Sequence, residues 1–214
     1  MACKQDSCMF MKKGLIALMY VDNLLFFGTT DAIIDEMIAN LKRDFDLKVE
    51  EDVFAFLGIE IVRDKKGNAI SLRQRGLIDK IIQATGIENA NKVKTPATTI
   101  GLGADVGGSE QRNEEWSYAS VVGMLQYLAG NTWSDIAFAV HQTAWFSHRP
   151  IQCHRKRIVR YIIGTKDEGL YFGSRTDFRL EAYADADFAG LWGIKEPQEP
   201  KCVKSHMGYL IHLG

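Results

Sequence analysis

The sequence predicts an α+β chain: strand hairpins each followed by a helix, then a mainly helical stretch, then strands again. Three observations carry that reading. Residues 14–28 and 53–73 read as short apolar runs around turn-forming residues, residues 116–166 change to a helical period, and residues 170–213 return to strand-like runs.

The elements follow in order. In 14–28, LMYVDNLLFFG sets two apolar runs about Asp22-Asn23, residue types that tolerate the dihedrals of a tight turn. TTDAIIDEMIANLKRDF then places Ile33, Ile34, Met37, Ile38, Leu41 and Phe45 on one helical stripe, with Thr30 or Asp31 as N-cap. VFAFLGIEIVRDKKGNAISLRQ reads as two strands joined at Lys66-Gly67-Asn68. RGLIDKIIQATG is a short amphipathic helix closed by Gly86. KTPATTIGLGADVGGSEQRN, rich in Gly, Thr and Ala, is the best linker candidate. Three helical segments come next: WSYASVVGMLQYLAGNT, then SDIAFAVHQTAWFSH with Ser134 as N-cap, then IQCHRKRIVRYIIGTK between Pro150 and Gly164. GLYFGS, FRLEAYADADFAG and SHMGYLIHLG are the last strands, with a proline-bearing loop before the final one.

Composition bounds the function classes. The 214 residues are 46% hydrophobic and 25% charged, which supports a sizeable core, and the formal net charge of −1 exerts no global pull on nucleic acid or membrane. Cys3, Cys8, Cys153 and Cys202 are scattered and form no CxxC, so reduced thiols and an intracellular place, cytoplasmic or nuclear, are expected. No run approaches the ~20 apolar residues of a membrane helix. An apolar strand begins almost at once and the last residues are strand-like, so a piece of a longer chain is expected.

Charge is uneven. Residues 61–80 hold Arg63, Lys65, Lys66, Arg73, Arg75 and Lys80 against Asp64 and Asp79, and residues 151–166 hold Arg155, Lys156, Arg157, Arg160 and Lys166 with no acid. Each patch reads either as a solvated helix face or as a phosphate-binding surface. The carboxylate at the first turn, Asp22, reads either as a conformational turn residue or as a ligand for a hard cation. Asp185 and Asp187 share one strand face by the period of two, as a metal site or as a wet edge strand. His141, His148 and His154 are spaced too irregularly for zinc, and no GxSxG, P-loop or GxGxxG occurs. The aromatics Trp116, Tyr118, Tyr127, Trp133, Phe138, Trp145 and Phe146 read as core, with base stacking open to any that are exposed.

Taken together, the pieces resemble the C-terminal part of a copia-type retrotransposon polyprotein, from the reverse transcriptase into the beginning of ribonuclease H. DSCMF followed by LMYVDN resembles the strand entry and Tyr-Val-Asp-Asp motif of the palm, and FAFLGIEI the hairpin that grips the primer strand. LRQRGLIDKIIQATG followed by VKTPA resembles the thumb segment. YASVVGMLQYLAGNTWSDIAFAV resembles the helical connection, with Thr132-Trp133-Ser134-Asp135-Ile136 where the family has Thr-Arg-Pro-Asp-Ile. HRKRIVRYIIGTKDEGLYF, AYADADFAG and Ser205-His206-Met207-Gly208-Tyr209 continue the match.

The resemblance implies a division into palm end with both hairpins (1–60), thumb-like segment (61–100), linker (101–115), helical connection (116–175) and the first strands of a ribonuclease H-like domain (176–214). It implies Mg²⁺ as cofactor, with Asp22, Asp185 and Asp187 as metal ligands and Asp22, Asn23 and Asp185 at catalytic positions. Asn23 stands where the family has Asp, and an amide offers a carbonyl oxygen but no charge. Phe56, Leu57, Gly58, Arg73, Arg75, Lys80, Arg155 and Arg157 are the implied nucleic-acid contacts. The implied partners are an RNA template, a DNA primer, their hybrid and the rest of a polyprotein, with no membrane. The expected function is a reverse transcriptase fragment, inactive alone. The alternatives are a non-catalytic module binding RNA–DNA duplex and a decayed element.

Overall fold

The computed structural model describes residues 3, 4, 6–50, 52–64, 66, 68–97, 118–145, 152–173, 179–186, 205 and 207–213, with the side chains of 152–155 and 213 outside the description. The expected linker 101–115 and most of the loop 190–205 lie outside the described residues. The chain divides into two compact units, Met1–Asp52 and Val53–Gly214.

The first unit is an antiparallel meander, β1 (Met9–Lys12), β2 (Leu15–Tyr20) and β3 (Asn23–Gly28), in the order β1-β2-β3, followed by α1 (Asp31–Leu41). Leu15 and Leu25 are its buried apolar residues. Thr30 occupies the N-cap of α1 with extended backbone, but its side chain makes no capping bond. The stripe Ile33, Ile34, Met37, Ile38 and Leu41 is half-buried, as its period predicts. Phe45 is not part of it. The chain tightens after Leu41, where Arg43 and Asp44 N–H groups bond the carbonyls of Asn40 and Leu41, and that change of pitch leaves Phe45 exposed.

The second unit combines a sheet and a helical core. β4 (Ala55–Phe56), β5 (Ile59–Asp64), β6 (Ala69–Arg73) and β7 (Leu170–Gly173) form an antiparallel sheet in that order. β7 comes from the segment expected to be a helical connection. It pairs Leu170 with Leu72 and Phe172 with Ile70, so the end of 116–175 is stitched to the hairpin of 59–73. The β4–β5 hairpin, expected with the first segment, therefore clusters with the second unit.

The helices are α2 (Arg75–Thr85), α3 (Tyr118–Asn131), α4 (Ala137–Trp145) and α5 (Gln152–Gly164), with one 3-10 turn at Ser134–Ile136. Gly86 closes α2 at φ 62°, its N–H donating to the carbonyls of Ile82 and Gln83. Ser134, expected as an N-cap, is instead the first residue of the 3-10 turn, and Trp133 precedes it at the cap. The core joins Ile78 and Ile81 of α2, Val121, Leu125 and Leu128 of α3, Trp133, Val140 of α4, and Ile158 and Ile162 of α5. Within it, buried Thr132 donates its hydroxyl to Gln74 Oε1 at 2.7 Å, while Gln74 Nε2 has no partner among the described residues.

β8 (Leu180–Ala186) and β9 (Met207–Leu213) form a separate antiparallel ribbon, with Asp185 opposite Gly208. Its apolar residues Leu180, Tyr183, Tyr209 and Ile211 are all exposed.

Candidate nucleic-acid interface

The first hairpin closes on the pair Tyr20–Asn23, which makes Val21 and Asp22 the tip. The expected turn Asp22-Asn23 is displaced by one residue, because Asn23 already belongs to β3. Val21, not an Asp or Asn, takes the positive φ of 51°. A side chain branched at Cβ is strained in that region, and this one is 79% exposed. Such strain concentrates where a turn presents a functional group. Here the group presented is the exposed Asp22 carboxylate, with the exposed Asn23 amide beside it.

One carboxylate and one neutral amide are a poor set for Mg²⁺, which takes hard, charged oxygen ligands from several segments. Among the described residues no group of three His, Cys, Asp or Glu side chains could hold a metal ion. Asp185 is exposed on β8 in the second unit, and Asp187 lies outside the described residues. The residues described do not fit a two-metal centre, and no chemical step runs through one.

The second hairpin closes on Phe56–Ile59, with Leu57 at φ 51° and Gly58 at φ 75°. Two positive φ values in a two-residue loop are the signature of a turn whose twist matches the flanking strands. A Cβ on Gly58 would meet nothing within 4 Å, so backbone conformation and not crowding calls for glycine there. Phe56 is half-buried and Leu57 is at the edge of exposure. The Tyr127 hydroxyl of α3 donates to the Leu57 carbonyl at 2.7 Å, across 70 positions of sequence. The sequence pattern groups Tyr127 with the core aromatics. The signal that separates it is its phase: Val121, Leu125 and Leu128 define the buried stripe of α3, and Tyr127 lies off it at 43% exposure.

The basic residues divide into committed and free. Arg75 donates Nε to Glu60 Oε2 at 3.0 Å and places Nη1 4.0 Å from Asp167, which ties α2 to β5 and to the start of the β7 connection. Arg157 donates Nε to the Ala97 carbonyl at 3.2 Å and Nη2 to Thr95 Oγ1 at 2.8 Å. Its neighbour Arg160 donates to the Asn91 carbonyl, so α5 clamps the strap 91–97. Arg73, half-buried at the end of β6, and Lys80, exposed on α2, make no ion pair among the described residues. The Arg155 side chain lies outside the description.

Asp135, in the 3-10 turn Ser134–Ile136, accepts a short hydrogen bond from the Tyr161 hydroxyl. That bond, then burial, then the charges of Asp135 and Glu168 raise the Tyr161 phenol to about 12. Trp133 Nε1 donates to Thr165 Oγ1 at 3.3 Å, one residue past the end of α5, so these two bonds fasten α5 to the 3-10 turn.

Residues 3–99 match the family of reverse transcriptases, RNA-dependent DNA polymerases. The chain is 33% identical over 206 residues to the retrovirus-related Pol polyprotein from transposon RE1 of Arabidopsis thaliana, covering 95% of this chain and 13% of that protein. It is 32% identical over 198 residues to the corresponding polyprotein from transposon TNT 1-94 of Nicotiana tabacum, covering 86% of this chain and 15% of that protein. An uncharacterized mitochondrial protein of Arabidopsis thaliana is 30% identical over 200 residues, 92% of this chain and 78% of that protein. No solved structure matches. The chain thus spans a small part of the polyproteins it resembles: nearly all of it is homologous to retrotransposon Pol polyproteins, and its residues 3–99 are similar to reverse transcriptases.

Proposed function

We propose that this chain holds an RNA–DNA hybrid without extending the primer. The observation that carries the reading is the first hairpin, where Asn23 stands beside Asp22 in place of a second carboxylate. Removing one charge from a two-metal site removes the electrostatic stabilisation on which phosphoryl transfer depends. Holding a duplex needs no metal. It needs a rigid apolar turn against the strand and cations toward phosphates, a role we assign to Phe56, Leu57, Gly58, Arg73 and Lys80. Arg75 and Arg157 support that surface through the bonds they already make. Residues 176–214, with Asp185 on β8, are in this reading the first strands of a ribonuclease H-like domain that the rest of a polyprotein completes.

The test is anisotropy of a labelled primer–template hybrid titrated with the whole chain across a KCl series, with primer extension in Mg²⁺ run alongside. Binding should weaken as salt rises. Replacing Arg73 and Lys80 together by Ala should lower the salt slope by about 2, one phosphate each. Extension should be absent. Primer extension by the unchanged chain would defeat the non-catalytic reading, and salt-independent or undetectable binding would defeat the duplex reading.

A further inference from the structure

We infer that Tyr127 is a positioning residue whose hydroxyl latches the β4–β5 turn in its left-handed shape, so that α3 fixes the pose of the Leu57-Gly58 tip. The functional consequence rests on the duplex-binding reading above, whereas the latch itself rests on geometry alone.

The argument begins at Leu57. Its φ of 51° is a conformation that residues other than glycine avoid, so the turn relaxes unless something outside it holds it. The flanking pair Phe56–Ile59 satisfies the ladder on either side of the tip. In a two-residue loop the carbonyl of the first tip residue has no ladder partner, and here it accepts from Tyr127 at 2.7 Å. The donor is well grounded. α3 buries Val121, Leu125 and Leu128 completely or nearly so, and a tyrosine ring has only two torsions to lose. One turn further along, Asn131 Nδ2 donates to the Tyr127 carbonyl at 2.7 Å, which braces the helix below the ring. A helix in the core thus sets the shape of a surface tip that local sequence disfavours.

The latch predicts a specific rescue. Glycine at 57 adopts φ 51° without strain, so the turn then needs no latch. The experiment compares the whole chain with Tyr127→Phe, Leu57→Gly and the double variant. The first readout is hydrogen exchange at Phe56 and Ile59, with thermal stability as control. Tyr127→Phe should speed exchange at that pair about fivefold, the population expected from one lost neutral hydrogen bond, while exchange in the α2–α3 core stays unchanged. The double variant should return the pair to the protection of Leu57→Gly alone. The second readout is hybrid affinity, expected to fall about threefold in Tyr127→Phe and, because Leu57 itself faces the strand in that reading, to be the same in the double variant as in Leu57→Gly alone. Unchanged exchange at Ile59, or faster exchange spread evenly over α3, overturns the latch. Faster exchange at the tip with unchanged affinity overturns its positioning role. If the unchanged chain binds no hybrid, the duplex reading fails, and the exchange data still decide the latch.

Discussion

The molecule contains two hairpins that solve one problem differently. Each turns through a two-residue tip, each places a non-glycine residue at φ 51° in the first position, and each presents a short apolar strand pair. At Val21 the strained residue is 79% exposed, and nothing described bonds the tip from outside. At Leu57 the strained residue is followed by glycine within the tip and tied to a core helix by Tyr127. The difference separates two kinds of rigidity. The first hairpin is held by its own ladder of paired strands, Leu15–Gly28 through Tyr20–Asn23. The second has only Ala55–Glu60 and Phe56–Ile59 in its β4–β5 ladder and borrows its rigidity from α3. A long ladder tolerates a strained tip alone, whereas a short one needs support from elsewhere in the fold.

Removing that support is the largest test of the comparison. Leu125 is fully buried on the face of α3 that anchors the latch helix. Leu125→Ala should cost about 2–5 kcal/mol, the transfer term plus the cavity left behind. Denaturant titration followed by residue-resolved hydrogen exchange should show protection lost at Phe56–Ile59 and retained at Tyr20–Asn23. Parallel loss at both pairs would mean that the two hairpins share one support, and the contrast drawn here would be wrong.

Relieving strain is a smaller test. Val21→Gly should stabilise the first unit by about 1 kcal/mol, since glycine removes a left-handed penalty of roughly 1–2 kcal/mol that its extra unfolded-state entropy, about 0.4–1 kcal/mol, offsets only in part. Leu57→Gly should gain roughly half as much, because leucine is not branched at Cβ. Urea midpoints with unchanged slopes measure both. A larger gain at Leu57 than at Val21 would place the greater strain at the supported tip and reverse the argument.

The parts of this fold that were legible are those written in local patterns. The stripe of α1, the glycine stop of α2 at Gly86 and the helices of 118–164 follow from period and punctuation a few residues apart. What escaped depends on partners far away in sequence. β7 joins β6 through Leu72–Leu170, and no local signal in either strand names the other. Asp22-Asn23 has turn chemistry, but the register of β2 against β3 put the positive φ one residue earlier, on Val21. The basic stretch of α5 reads as solvated face or phosphate-binding surface, and its ties to 91–97 are hidden because the acceptors of Arg157 and Arg160 are backbone carbonyls and a threonine hydroxyl, which charge counting does not see. The Asp22 tip itself was legible as a site candidate. That no metal set gathers about it among the described residues is a matter of which side chains come near it, and a linear pattern carries no such information.

The smallest effect concerns pH and again sets the two hairpins apart. Tyr161 of α5 donates to Asp135 within the 3-10 turn that follows α3, and its phenol is raised to about 12. A raised folded-state pKa means that the folded chain holds the proton more tightly than the unfolded chain, whose tyrosine titrates near the ordinary phenol value of 10.0. The stabilisation is therefore complete below pH 10 and is lost as pH rises through about 12, because an ionised phenolate cannot donate to a carboxylate and is repelled by it. Alkaline titration followed by exchange and denaturation should show the helical core that carries Tyr127 weakening across that window. Tyr161→Phe should have slightly lower stability at neutral pH and a flatter profile from pH 10 to 12, since the titrating proton is gone. The first hairpin contains no part of this pair, so its β2–β3 ladder should follow the same alkaline course in the unchanged chain and in Tyr161→Phe. A Tyr161→Phe variant whose core keeps the full alkaline slope would assign that slope to another group and remove the pH contrast between the two supports.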